Sequence, residues 1–225
     1  MARSRSPGLD PTREELRLER KARRHTARRR AILDAASRLL ATRGTESFTV
    51  SAVAAAAGVS KPAVYYYFDS KDELVVALVA DVTQAETEAL RRASDPATDA
   101  VDALVRAVRA LVEHYADDLD RYRIAHLWTH ANSISEYLRR SSASVERDQL
   151  DANLARRLAT DPSLASVGSG SPRALVTAAF AAAHGLLTTA CVPKPGATPD
   201  AVPLSELGAI VETLLRRALG GHESQ

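Results

Sequence analysis

The segment from Thr49 to Lys71 constrains the fold of this chain more than any other, because it predicts two short helices joined by a tight turn. Thr49 is a suitable N-cap for an alanine-rich helix, since its hydroxyl can accept a hydrogen bond from an otherwise unsatisfied backbone N–H. Gly58 follows that helix, where a left-handed C-cap favours a residue without a Cβ. Ser60 then caps a second helix, and Pro62 is tolerated in its first turn because that N–H has no partner within the helix.

This pattern is typical of a helix-turn-helix, whose second helix enters the major groove of DNA. Val53, Val59, Val64 and Phe68 are expected to form the buried seam between the two helices. The side chains expected to project from the second helix are Lys61, Ala63, Tyr65 and Tyr66. An ordinary helical corner inside an all-α core would show the same pattern, so the motif alone leaves DNA binding open.

The charge of the chain is divided unevenly along its length. The formal net charge is +2, but residues 1–71 carry 15 Lys and Arg against 7 Asp and Glu, while residues 72–225 carry 15 against 21. A basic N-terminal part on an acidic remainder is expected when only one end of a protein meets a polyanion. The charge therefore favours nucleic acid as the partner of the predicted helix-turn-helix.

The segment GVSKPAVYYYFDSKDEL resembles the signature of the TetR family of transcriptional regulators, in which a turn Gly, a recognition helix ending in Tyr-x-(His/Tyr)-Phe, and Ser-Lys-x-x-Leu follow in a fixed register. The resemblance covers about residues 26–80, because AILDAASRLLATRGTESFTVSAVAAAAGVS is similar to the first two helices of that family. Tyr67 stands where His is frequent, and Pro62 and Ala63 stand where Gly and a hydroxyl residue are often found.

The resemblance implies an all-α fold, with an N-terminal three-helix helix-turn-helix DNA-binding domain at residues 26–72. A long helix would join it to a C-terminal helical domain, residues 73–225, that binds an effector and forms a dimer. The implied function is that of a transcriptional regulator, most simply a repressor, which binds a near-palindromic double-stranded DNA operator as a homodimer and is released by a small organic ligand. No cofactor and no metal are expected.

The expected DNA-binding residues share a place on or beside the helix-turn-helix. They are Thr49, Ser51, Ser60, Lys61, Pro62, Ala63, Tyr65, Tyr66, Lys71 and Arg28. Lys61 offers the one strong hydrogen bond to a base, with guanine as its expected partner, and Pro62 and Ala63 could touch a thymine methyl. The resemblance implies a phosphate contact for Lys71.

Residues 1–25 are expected to form a basic N-terminal arm that is partly disordered. A capping box from Thr12 to Glu15 could begin a helix that runs into the first firm helix, residues 26–43. That helix would be polar on nearly every face, so it would have little packing to hold it. The arm could contact phosphates or a minor groove, or be a solvated tail, and the sequence leaves both open.

The remainder of the chain predicts helices, since alanine is abundant, aromatic residues are few and no stretch alternates with a period of two. A capping box from Ser70 to Glu73 begins a helix of about 22 residues, which at 1.5 Å per residue is about 33 Å long and could join two domains. Its expected buried stripe consists of Leu74, Leu78, Val82, Ala85 and Ala89.

The helix predicted at residues 121–140 carries one apolar stripe and one polar, aromatic stripe. The second stripe could line a cavity for an organic ligand or simply face water. The candidate ligand-binding residues, on this helix and on others, are Tyr122, His126, His130, Tyr137, His114, Trp128 and His184.

Two other functions for the histidines are disfavoured. His126 and His130 have the i, i+4 spacing of a helical metal pair, but no Cys, second His pair or carboxylate completes a site nearby, so hydrogen-bonded structural histidines are favoured. An enzyme is disfavoured because no nucleophile elbow, phosphate loop or complete metal set is found.

A segment at about residues 173–191 is apolar on almost every side and long enough to raise the question of a membrane span. Because it contains His184 and several threonines, a helix buried in a protein interface explains it better. Together with a helix at about residues 205–219, it looks like the pair that builds the dimeric four-helix interface in the TetR family. The lone Cys191 and the lack of an apolar signal-peptide core favour the cytoplasm.

Overall fold

A computed structural model of the chain describes residues 12–43, 48–127, 142–161, 171–191 and 203–219. These residues form helices and no β-strand, which confirms the predicted all-α fold. A π-helical turn, Arg123–Leu127, continues the sixth helix without a break. In chain order the α-helices are α1 (Arg13–Arg43), α2 (Val50–Ala57), α3 (Lys61–Tyr67), α4 (Lys71–Ser94), α5 (Ala100–Ala116), α6 (Leu119–Tyr122), α7 (Ser142–Ala159), α8 (Pro172–Cys191) and α9 (Leu204–Leu219).

The chain divides into two compact units, Met1–Lys71 and Asp72–Gln225, called unit 1 and unit 2 below. In unit 1, α2 packs against both α1 and α3. One face of α1 is buried, as are Phe48 beside α2 and Phe68 after α3. The buried residues of that face are Ile32, Leu33, Ala36, Leu39 and Leu40. These side chains fix the orientation of α3, because a helix of 7 residues is too short to be stable on its own.

α1 is one continuous helix of 31 residues, although its first half was expected to fray. The predicted capping box is present: Thr12 N donates to Glu15 Oε2 at 2.6 Å, and Glu15 N donates to Thr12 Oγ1 at 3.3 Å. The segment that follows is rich in Arg and Glu, which are good helix formers, so it holds helical geometry although residues 12–28 are exposed. Residues 1–11 of the predicted arm lie outside the described residues.

Unit 2 is built around α5, which contacts α6, α7, α8 and α9. Asp99 caps α5, accepting a hydrogen bond from Asp102 N at 2.6 Å. Leu104, Val108 and Leu111 of α5 are fully or almost fully buried in the core of this unit.

The predicted stripe of α4 is right at Leu74, Leu78 and Val82 but wrong further along, where Ala85 and Ala89 are only half-buried. Glu86 and Leu90 are buried in their place.

α8 is long and apolar enough to cross a membrane, judged by length and composition alone. In this structure it contacts α5, α7 and α9, and its Val176, Phe180 and Leu187 are buried in the core of unit 2. A core helix of a globular domain has the same length and composition. The face that α8 leaves exposed consists mostly of small residues: Ala174, Ala178, Ala181, Ala182, Gly185 and Ala190.

Candidate functional site

The predicted turn between α2 and α3 is present in detail. Thr49 Oγ1 accepts a hydrogen bond from Ala52 N at 3.1 Å and so caps α2. Gly58 is left-handed, with φ 64° and ψ 38°, and the N–H groups of Gly58 and Val59 donate to the carbonyls of Ala55 and Ala54 at 3.2 and 3.0 Å. This is a Schellman motif, which satisfies carbonyls that the end of α2 would otherwise leave without partners.

α3 begins at an equally well-defined cap. Ser60 Oγ accepts a hydrogen bond from Ala63 N at 3.2 Å, and Pro62 lies in the first turn as expected. Val64 and Phe68 anchor the helix in the core of unit 1. The opposite side of α3 faces solvent, with Lys61 and Pro62 exposed and Tyr66 70% exposed.

The structure places all ten predicted DNA-binding residues in unit 1. Nine of them are exposed and Ala63 is half-buried, so each is accessible to a partner. Lys71 lies at the start of α4, with its Nζ 5.6 Å from the centre of the Phe48 ring. The Lys61 ammonium lies 6.0 Å from the centre of the Tyr65 ring, so these two exposed side chains are neighbours.

Sequence reasoning missed the contact between α1 and the C-terminal end of α3. The His25 ring lies 4.7 Å from the Tyr67 ring and 5.9 Å from the Tyr66 ring, and the Arg29 guanidinium lies 5.0 Å from the centre of the Phe68 ring. The sequence did contain a signal for this contact. Residues 25, 29 and 32 share one face of a helix, and Ile32 of that face is in the core.

In unit 2, a charged residue is fully buried: Glu86 of α4 has no exposed surface. The Tyr115 hydroxyl donates to Glu86 Oε2 at 2.7 Å, and His126 Nε2 donates to the same oxygen at 2.8 Å. The Arg147 guanidinium donates to Glu86 Oε1. Since Arg147 Nε also donates to Asp151 Oδ1 at 3.1 Å, four elements meet at one ion-pair network.

The surroundings shift the pKa of three of these groups, Glu86, Tyr115 and Asp151. Burial alone would raise the pKa of Glu86, but the hydrogen bond from His126, the positive charges of His126 and Arg147 and the Tyr115 hydroxyl lower it to about 2. Burial and the neighbouring carboxylate raise the pKa of Tyr115, which therefore remains a hydrogen-bond donor. Burial also raises the pKa of Asp151, against the effect of Arg147.

A second hydrogen-bonded group adjoins the first. The Tyr122 hydroxyl donates to the backbone carbonyl of His184 at 3.1 Å and lies 3.0 Å from Thr188 Oγ1 and 3.2 Å from His184 Nδ1. Ring contacts connect the two groups, because the His126 ring lies 4.8 Å from Tyr122 and 4.7 Å from His184. Burial, and secondarily His126, lowers the pKa of His184 to about 4, so His184 is neutral near pH 7.

The structure therefore brings together three of the candidate ligand-binding residues, Tyr122, His126 and His184. His114 is at the edge of this cluster, with its ring 4.7 Å from the Tyr115 ring, and its buried Nε2 has no hydrogen-bond partner among the described residues. The other three candidates, Trp128, His130 and Tyr137, lie outside the described residues. Within the described part of the chain, no group of three or more His, Cys, Asp or Glu side chains could hold a metal ion.

Sequence reasoning missed Glu86, Tyr115 and Arg147. Glu86 could have been suspected, because residues 75, 79, 82, 86 and 90 recur at helical spacing and the other four are Val or Leu. No such signal exists for Arg147, whose contact with Glu86 spans 61 residues of sequence. We call Glu86, Tyr115, Tyr122, His126, Arg147 and His184 the polar cluster below.

These features together define a class of protein. It is an all-α chain in which a capped helix-turn-helix, whose second helix is exposed, is combined with a separate helical unit. Residues 32–78 match the family model described as bacterial regulatory proteins, tetR family. This match lies within residues 26–80, where the resemblance of the sequence to TetR-family transcriptional regulators was found.

Characterised relatives agree with this assignment over part of their length. The chain is 36% identical over 83 residues to the HTH-type transcriptional regulator BetI of Rhizobium meliloti. The aligned residues cover 35% of this chain and 40% of BetI. It is 41% identical over 80 residues to the HTH-type transcriptional repressor LfrR of Mycolicibacterium smegmatis, covering 36% of this chain and 41% of LfrR. The matches thus span about two fifths of the length of these relatives, which are transcriptional regulators and not enzymes.

Solved structures resemble the chain over most of its length. FadR from Bacillus subtilis, solved in complex with stearoyl-CoA, has a TM-score of 0.67 at 17% identity, covering 86% of this chain and 98% of FadR. A TetR family regulator from Marinobacter aquaeolei has a TM-score of 0.64 at 19% identity, covering 85% of this chain and 97% of that one. At these identities the likeness shows the fold.

Proposed function

We propose that this protein is a homodimeric transcriptional repressor that binds a near-palindromic DNA operator and is released by a small organic ligand. The observation that carries the proposal is the geometry of α3. Caps at both of its ends and the buried Val64 and Phe68 hold it in place, while Lys61 and Tyr66 face solvent. Helix-turn-helix proteins insert a helix held in this way into the major groove.

The exposed residues of unit 1 divide into two roles. Base readout is assigned to Ser51, Lys61, Pro62 and Ala63. Lys61 hydrogen-bonds a base, and Pro62 and Ala63, which lie with it in the first turn of α3, approach a thymine methyl. Thr49, Tyr65, Tyr66 and Lys71 contact phosphates and set the register of the helix on the duplex. Lys71 is suited to this role by its exposed position at the first residue of α4.

Dimerisation is proposed to occur through α8 and α9. Ile210 and Leu214 of α9 are 48% and 60% exposed, and the small residues on the exposed face of α8 allow close approach of another helix. A twofold pair would present two recognition helices about 34 Å apart, or a multiple of that distance, to two half-sites.

The polar cluster supports an effector site in unit 2. Aromatic rings and hydrogen-bonding groups of Tyr122, His126 and His184 converge there, as they do in sites for organic ligands. FadR from Bacillus subtilis, which has a similar fold, was solved in complex with stearoyl-CoA. Effector binding would favour a conformation in which the separation of the two recognition helices no longer matches the operator, so that affinity falls. Unchanged operator affinity at saturating effector would contradict this mechanism.

An effector-independent DNA-binding protein is the alternative, and one observation favours it. Glu86 and the Tyr122 hydroxyl are fully hydrogen-bonded within the chain, as expected of groups that only stabilise the fold. Thermal unfolding in the presence of a panel of organic compounds separates the two proposals, since a compound that binds the folded state must raise the transition temperature. Both proposals place the protein in the cytoplasm, where it meets DNA.

The DNA-binding proposal is tested with two single substitutions and an operator obtained by selection from random duplexes. Lys61→Ala should relax the preference at one operator position and weaken operator binding by about 1–3 kcal/mol. Lys71→Ala should weaken binding to all sequences alike and reduce the dependence of affinity on salt. An equal loss from both variants, with unchanged base preference, would contradict the roles assigned here.

A further inference from the structure

The exposed N-terminal half of α1 carries its positive charge on one side. Successive residues of an α-helix are about 100° apart, so Arg17, Arg24 and Arg28 lie within about 40° of one another around the axis. The complete group spans about 100° and is called the cationic stripe below: Arg13, Arg17, Arg20, Lys21, Arg24 and Arg28.

The stripe is available for a partner. All six of its side chains are exposed, and none forms an ion pair with another residue in the described part of the chain. Arg23 and Arg30 lie on another side of the same helix and do form ion pairs, with Glu19 at 3.8 Å and with Asp34 at 3.1 Å. Within residues 13–30, the cations without an ion pair therefore lie on the stripe, apart from Arg29, which packs on the Phe68 ring.

The stripe adjoins the surface that unit 1 is proposed to present to DNA. His25 lies just beyond Arg24 and packs against Tyr66 and Tyr67 at the end of α3, one turn before Arg29 packs on Phe68. These contacts fix the position of the stripe relative to the recognition helix within a single unit. Tyr66, one of the proposed phosphate contacts of α3, is exposed beside His25 of α1.

The composition of this half-helix indicates a polyanion as its partner. A helix that docks on another protein or on a lipid surface needs a continuous apolar face, but the only large apolar residues here, Leu16 and Leu18, point about 160° apart. A row of cations without such a face suits the evenly charged backbone of a duplex. From Arg13 to Arg28 the helix is about 22 Å long, comparable to the rise of about six base pairs at 3.4 Å each.

We propose that the cationic stripe binds DNA phosphates outside the operator half-site read by α3, and so lengthens the footprint of each protomer without adding base readout. This rests on the proposed DNA-binding function of unit 1. The stripe would raise affinity for operator and non-operator DNA alike, because phosphate contacts carry no sequence information.

The test compares two double variants of the full chain with equal charge loss on the same helix. Arg17→Gln/Arg24→Gln removes charge from the middle of the stripe, and Arg23→Gln/Arg30→Gln is the matched control off the stripe. Gln is a good helix former, and far-UV circular dichroism checks that helix content is retained in both. Affinity is measured between 50 and 300 mM salt on two selected duplexes, one ending at the operator half-sites and one extended by about seven base pairs on each side.

The stripe variant should bind the extended duplex more weakly than the control, with the slope of log affinity against log salt reduced by about 1.8 per protomer for two lost phosphate contacts. On the short duplex the two variants should bind alike, and base preference should be unchanged in both. Equal behaviour of the variants on the extended duplex, or an equal loss by the stripe variant on both duplexes, would overturn the proposal.

Failure of the proposed function is distinguishable from failure of this inference. If the unmodified protein selects no sequence from random duplexes, sequence-specific regulation fails. The stripe is then judged on a long unselected duplex, where a reduced salt slope in the stripe variant relative to its control supports phosphate binding and an equal slope overturns it.

Discussion

Replacing the buried carboxylate of the polar cluster, Glu86→Gln, should destabilise the protein in a way that depends on pH. The amide keeps the shape of the side chain and can still accept the hydrogen bond from Tyr115. It cannot balance the charge of Arg147, whose side chain is only 16% exposed and would keep Asp151 as its single acidic partner. Breaking a buried ion pair by removing one member is strongly destabilising, because the remaining charge is left without full compensation.

The magnitude follows from the lowered pKa of Glu86. A pKa that falls from 4.5 in the unfolded chain to about 2 in the folded protein corresponds to about 3 kcal/mol of stability. Because the folded-state value is the lower one, this contribution is complete above the unfolded pKa and is lost as the pH falls towards the folded pKa. We therefore expect the variant to be about 3 kcal/mol less stable at pH 7, and the difference to shrink steadily between about pH 5 and pH 2.

Urea unfolding of the unmodified protein and of Glu86→Gln at pH 7, 5, 4 and 3, at one fixed protomer concentration, measures this difference. The other carboxylates cancel in the comparison, because they contribute equally to the two proteins. Glu88→Gln is the matched control, since Glu88 lies two residues further along α4 and pairs with Arg91 on the surface, where water weakens the interaction. If Glu86→Gln lowers stability no more than Glu88→Gln does, or if its effect is the same at pH 3 as at pH 7, the buried ion pair described here is not formed.

Two further predictions concern the turn and the dimer. Gly58→Ala should lower the free energy of unfolding by about 1 kcal/mol, because φ is 64° and a Cβ would meet no atom within 4 Å, so backbone strain is the only penalty; an unchanged midpoint in thermal unfolding would contradict the left-handed turn. Leu214→Glu should convert the dimer into monomers, because it places a charge in the exposed apolar face of α9. The control, Ser205→Glu, lies on the opposite side of the same helix and should leave the dimer intact. Analytical ultracentrifugation measures both. A dimer that survives Leu214→Glu would contradict the proposed interface.

The parts of the fold that depend on neighbouring residues could be predicted from the sequence. The caps at Thr49, Gly58 and Ser60 are made by groups within a few residues of one another, so their chemistry is visible in the local sequence. The same holds for the capping box at Thr12, which is formed by residues only three apart. The family signature rests on this local register and is confirmed for the same reason.

The polar cluster could be predicted only in part. The helical spacing of Tyr122 and His126 marked a polar face, and the sequence left open whether that face met a cavity or water. The partners that bury it come from 40 and 62 residues away, Glu86 for His126 and His184 for Tyr122. A single Glu in a helix is usually solvated, and only tertiary contacts that satisfy its charge make the buried position possible.

The π-helical turn at Arg123–Leu127 makes the position of the His126 side chain sensitive to a single deletion. Its hydrogen bonds span five residues rather than four, so it holds one residue more than an α-helical turn would. Loss of a single codon between Tyr122 and His126 would let this segment close into an α-helical turn and move the His126 side chain by about 100° around the axis. The number of residues between Tyr122 and His126 thus determines which side chain faces Glu86, and a one-residue deletion could replace His126 in that position with another residue.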